Sequence, residues 1–189
     1  MPKLWRHTVD AHRQEVRERI LSSAASLAVV NGLRGVSMAQ IAEQVGITRT
    51  TLYKYFPSVE AILDAWHAGQ IHTHLDHLAR VAAGEADPGG RLRAVLQAYA
   101  LVLQSTSRHD SDLSALLHAG SSLAEGRRKL DALLEPLLEA AAAAGQVRAD
   151  IPVDELASYC LNALGAAAEL NSEAATRRLV GMVIDALKP

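Results

Sequence analysis

The stretch Ser37-Met38-Ala39-Gln40-Ile41-Ala42-Glu43-Gln44-Val45-Gly46-Ile47-Thr48-Arg49-Thr50-Thr51-Leu52-Tyr53-Lys54-Tyr55-Phe56-Pro57-Ser58 carries more structural information than any other in the chain. Ser37 and Gln40 stand at capping-box spacing, which predicts a short helix from Met38 that turns Ile41, Ala42 and Val45 inward. Gly46 ends that helix. Thr48 is placed to cap the next one, in which Leu52 and Phe56 form the buried pair; Pro57 closes it and Ser58 caps its successor. Two short helices joined by Gly46-Ile47-Thr48 make a helix-turn-helix pattern. Arg49, Thr50, Tyr53 and Lys54 are left on the outer face, with Tyr55 at its edge. Guanidinium, hydroxyl, phenol and ammonium groups are the donors that reach phosphates and base edges in a major groove.

Upstream, a longer helix is expected from about Ala11 to Asn31, with Val16, Ile20, Ala24, Leu27 and Ala28 on one stripe and Asn31-Gly32 as its stop. Residues 1–60 hold eight Lys and Arg against five Asp and Glu, whereas the remainder holds eleven against sixteen. A basic front end on an otherwise acidic chain fits a polyanionic partner. A plain surface helix would explain the polar face alone. It does not explain cap, glycine turn, apolar spacing and local positive charge occurring together.

The whole chain has 189 residues, with 49% hydrophobic types, 4% aromatic and 21% charged, which excludes a disordered or collagen-like polymer. Its apolar content is mostly Ala and Leu, helix formers and poor strand builders, so an all-α protein is expected. Cys160 is the single cysteine and has no partner for an intramolecular disulfide, which suggests a reducing, cytoplasmic setting. Residues 1–20 lack the apolar core of a signal peptide, and no apolar run is long enough to span a membrane, so no membrane partner is expected. There is no nucleophile motif, phosphate loop, HExxH or glycine-rich cofactor turn. Neither an enzyme nor a cofactor is expected.

Beyond Ser58, helices are expected over about Val59–Ala83, Arg91–Ser107, Ser111–Gly120, Leu123–Ala144 with a kink at Pro136, Val153–Leu170 and Ser172–Leu187. The cluster Gly84–Gly90 reads as a loop and 145–152 as a connector. The expected division is a helix-turn-helix DNA-binding domain, residues 1–57, and a helical effector-binding and dimerisation domain, residues 58–189.

The run from Arg19 through Ala65 resembles the N-terminal domain of TetR-family transcriptional regulators. The likeness rests on Ile20-Leu21, Ala24-Ala25, Gly32, Val36-Ser37-Met38, Ile41-Ala42, Gly46-Ile47-Thr48, Thr51-Leu52-Tyr53-Lys54-Tyr55-Phe56-Pro57-Ser58 and Glu60-Ala61-Ile62-Leu63. It covers about a quarter of the chain; Gly145-Gln146-Val147-Arg148-Ala149-Asp150 is similar to many members but less diagnostic. The resemblance implies a homodimer on a palindromic double-stranded DNA operator, usually a repressor released by a small molecule in the C-terminal domain. It further implies phosphate contacts for Ser37, Thr51, Tyr53 and Lys54, and base-edge or phosphate contacts for Arg49, Thr50 and Tyr55. With Thr48 at the cap, these form the candidate DNA-binding set. Val59 departs from the family, which often has Lys there, so one charge-assisted phosphate bond is missing.

For the C-terminal half, the candidate dimer interface comprises Leu156, Tyr159, Cys160, Ala163, Leu164 and Ala167 on one helix face and Leu179, Val180, Val183 and Ile184 on another. The alternative is that these faces bury within their own subunit. Candidate effector contacts are Trp66, His67, His74, Tyr99, His118, Asn162 and Glu169, polar handles among apolar neighbours. His67, His72, His74 and His77 raise the question of a metal site. On a helix His74 and His77 lie one turn apart, but His67 is about 10 Å further along, out of reach of the same ion, so no metal site is assigned.

Overall fold

The computed structural model describes residues 3–32, 35–84, 87–107 and 121–189, and among them all regular structure is helical. The chain forms two compact units.

The first unit opens with α1 (Lys3–Asn31), which begins well before the expected Ala11. Residues 3–10 contain neither Gly nor Pro to break a helix, and their polar character gave periodicity no stripe from which to read a start. α2 (Met38–Val45) has the expected cap: Ser37 Oγ accepts the Gln40 amide at 3.3 Å and the Ser37 amide donates to Gln40 Oε1 at 2.9 Å. At its other end Gly46 takes φ +76°. The Ile47 amide donates back to the Ala42 carbonyl at 3.0 Å and the Gly46 amide to that of Glu43 at 3.1 Å, a Schellman closure that needs a left-handed residue. α3 (Arg49–Tyr53) is only five residues long and continues as a tight turn in which the Tyr55 and Phe56 amides both donate to the Leu52 carbonyl. α4 (Val59–Ala82) comes next, with the Ala61 amide donating to Ser58 Oγ at 3.3 Å.

The core of this unit gathers Val16, Ile20, Ala24 and Ala28 of α1, Ile41 and Val45 of α2, Leu52, Phe56, and Ile62 and Leu63 of α4. Full burial of a Leu or Ile stabilises by roughly 1.5–3 kcal/mol, and Ile20, Ile41, Leu52 and Ile62 are completely enclosed. Ile62 and Leu63 of α4 pack here, and this compact unit extends along α4 to Gln70.

The second unit holds the rest of α4, α5 (Pro88–Ser107), α6 (Ser121–Ala143), α7 (Val153–Gly165), a 3-10 turn (Ala166–Glu169) and α8 (Glu173–Ala186). α5 starts three residues before the expected Arg91, since Pro88 is well suited to a first helical position. Asp87 caps it: its Oδ1 accepts the Gly90 amide at 3.2 Å and Gln146 Nε2 at 2.9 Å, which hold this carboxyl below its usual range. α6 contains Pro136 within its length. The helix expected to run from Val153 to Leu170 ends at Gly165 and tightens into the 3-10 turn. Gln104 of α5 anchors the end of that turn, its side-chain amide donating to the Leu170 carbonyl at 3.1 Å. The core includes Leu78, Leu92, Leu96, Leu134, Leu138, Leu161, Leu164 and Val180. The helix expected over Ser111–Gly120 lies outside the described residues.

Candidate nucleic-acid interface

The outward face of the first unit is built on an inward one. Leu52 enters the core from the middle of a helix too short to persist alone, so packing and capping hold it. Arg19 of α1 fixes the end of α2 from the side, its Nη2 donating to the Val45 carbonyl at 2.6 Å.

With that scaffold set, Ser37, Thr48, Arg49, Thr50 and Lys54 are exposed, and Tyr53 is 50% exposed. Thr51 and Tyr55 are half-buried: Thr51 Oγ1 lies 2.9 Å from Thr48 Oγ1, and Tyr55 packs against the core with its ring under the Arg13 guanidinium, 5.9 Å from centroid to Cζ. Arg17 stands over Phe56 at 5.2 Å. By helical periodicity Arg13 and Arg17 belong only to the solvent face of α1. Their placement beside Tyr55 and Phe56 depends on a tertiary contact that such periodicity does not encode. No carboxylate among the described residues pairs with Arg13, Arg17, Arg49 or Lys54. The face can therefore offer cationic and hydroxyl donors to an anion.

The described candidate effector residues fall in both units. Trp66 and His67 belong to the first unit, where Trp66 packs against its core, while His74 and Tyr99 are half-buried in the second. Burial raises the Tyr99 pKa. Asn162 is exposed and donates to Ser158 Oγ at 3.3 Å, Glu169 is exposed, and His118 lies outside the described residues. The second unit does contain an open cavity of about 610 Å³, lined by residues such as His77, Val81, Ala98, Leu101, Gln104 and Glu173. None of the six described candidates is among its lining residues. His72 pairs with Asp76 at 3.4 Å, and among the described residues no three His, Cys, Asp or Glu side chains are grouped to hold a metal.

The candidate dimer residues divide. Leu156, Cys160, Leu164, Ala167, Val180 and Val183 are buried in the core of the second unit. Periodicity finds the apolar stripe of α7 and α8 but does not say which surface covers it. Ala163, Leu179 and Ile184 are half-buried, Tyr159 is 45% exposed, and Met182, absent from the candidate set, is 69% exposed.

A capped helix-turn-helix whose cations have no carboxylate partner among the described residues, in a chain whose second unit is wholly helical among the described residues, defines an all-α helix-turn-helix protein. Residues 20–66 match the family described as bacterial regulatory proteins, tetR family, and residues 87–189 match the C-terminal domain described as transcriptional regulator SbtR-like. The chain belongs to the TetR family of transcriptional regulators. It is similar to the HTH-type transcriptional regulator TtgR of Pseudomonas putida (35% identity over 108 residues, 53% of this chain and 49% of that one). It is also similar to the HTH-type transcriptional repressor DrrR1 of Streptomyces coeruleorubidus (29% over 125 residues, 64% and 43%). The matches thus span about half the length of these curated relatives or less. Among solved structures, a TetR/AcrR-family regulator from Thermobifida fusca shares the fold with TM-score 0.78 at 20% identity, covering 92% of this chain and 98% of that one.

Proposed function

We propose that the protein is a cytoplasmic homodimeric repressor that binds a palindromic operator through α3 and is released by a small molecule held in the second unit. The observation that carries this reading is the outer face of α3, where Arg49, Thr50, Tyr53 and Lys54 point away from a core that fixes Leu52. A rigidly held row of unpaired donors is suited to reading a major groove. The repressor sense is supported by the likeness to DrrR1.

A two-half-site operator requires two copies of the face about 34 to 36 Å apart. Tyr159, Ala163, Leu179, Met182 and Ile184 form the dimer surface, being apolar residues of α7 and α8 that the subunit's own core leaves at least partly accessible. Release is a population shift: an effector favouring a dimer geometry with displaced recognition helices lowers operator affinity by its differential affinity for the two geometries. The cavity beside α5 is the effector site most open to test, by substitution at Ala98 or Leu101. Selection of genomic fragments by the purified protein, with footprinting of the enriched sequences, tests the reading. A protected palindrome supports it; no enriched sequence from folded dimer refutes it.

A further inference from the structure

We propose that Arg13, with Arg17 behind it, forms a second phosphate-binding element on α1, beside the groove that α3 enters; this rests on the DNA-binding reading above. Both residues precede position 20, where the match to the family's N-terminal domain begins. α1 nevertheless continues unbroken through them back to Lys3. This carries the helix past the helix-turn-helix and brings Arg13 over the Tyr55 ring at 5.9 Å and Arg17 over Phe56 at 5.2 Å.

Each stack joins a cation from α1 to the chain that leaves the recognition helix. An aromatic face orients a guanidinium without consuming its N–H donors, so the fork stays available to a phosphate. Arg13 is exposed, and no carboxylate among the described residues pairs with it or with Arg17. Two acidic neighbours on the helix have other partners, Glu15 facing His12 at 3.9 Å and Glu18 accepting from Gln14 at 3.0 Å, and the exposed Asp10, one turn before Arg13, forms no ion pair with it. Lys54 stands at the end of the recognition helix, next in sequence to the Tyr55 over whose ring Arg13 of α1 lies. The ligand this suits is the DNA backbone, because a guanidinium fork matches two phosphate oxygens and carries no base information.

The test is a salt titration of the full-length dimer on two duplexes, the footprinted operator and an unrelated sequence of equal length, using Arg13→Gln and Arg13→Lys. Arg13→Gln is expected to weaken binding to both duplexes by a similar factor, roughly tenfold. It should also flatten the dependence of log K on log salt by about 0.9 for each copy of Arg13 in contact. Arg13→Lys keeps the charge and should retain most of the slope. An unchanged slope for Arg13→Gln overturns the proposal, whether affinity is full or reduced equally at every salt; the latter result would mean that Arg13 only packs on Tyr55. Wild-type protein binding neither duplex would remove the DNA-binding reading itself, an outcome distinct from these.

Discussion

Thr48 and Thr51 hold each other at the start of the recognition helix: Thr48 Oγ1 accepts the Thr51 amide at 3.1 Å, and the two hydroxyl oxygens lie 2.9 Å apart. In a five-residue helix this cap satisfies one of the four amides that the helix start leaves without an intrahelical partner, so the orientation of Arg49, Thr50 and Tyr53 depends on it. Thr48→Ala should cost about 1 kcal/mol of stability in urea denaturation, and Thr48→Ser should restore most of it. Operator affinity should fall with the alanine variant and return with serine, even though position 48 is assigned no base contact.

Gly46 gives a separate measure of the turn. A Cβ added there meets nothing within 4 Å, so the cost of Gly46→Ala is backbone strain at φ +76° and not a clash. That strain is about 1–2 kcal/mol, and Gly46→Asn should cost less because asparagine tolerates the left-handed region. Thermal unfolding of the two variants checks the order.

Cys160 has no exposed surface, and burial pushes its thiol up from 9.0 to about 11. A thiol-specific reagent at neutral pH should leave the native protein untouched and react after denaturation. The folded pKa lies above the unfolded one, so the buried neutral thiol contributes stability fully below about pH 9 and loses it as pH rises through about 11. Cys160→Ala should flatten that alkaline loss in denaturant titrations across this window.

Met182 and Tyr159 are the most exposed large apolar residues of α7 and α8. Met182→Lys should weaken self-association by at least tenfold in sedimentation equilibrium while leaving subunit helicity unchanged. Unaltered association would place the interface elsewhere.

Much of the helix-turn-helix was legible because its determinants are local. A capping box, a glycine and a threonine cap act within a few residues, and each was found in its expected role, whereas α3 ends at Tyr53, four residues before the proline expected to close it. The second unit was less legible. Its helices track apolar periodicity, but the same stripe serves a subunit core or a partner, and only packing assigns Leu164 inward and Met182 outward. The start of α1 and the stacking of Arg13 on Tyr55 had no local signal either. Effector candidates chosen for polarity came out in two units, because a cavity is a property of helices crossing and not of residue type.

The central claim is that the outer face of α3 reads DNA. Its most direct test is titration of the footprinted operator with wild type, Arg49→Ala and Tyr53→Phe, with dimer integrity measured alongside. Both variants should remain folded and dimeric, and each should bind the operator more weakly than wild type by a factor of about ten or more. Full operator affinity in both variants would contradict the claim.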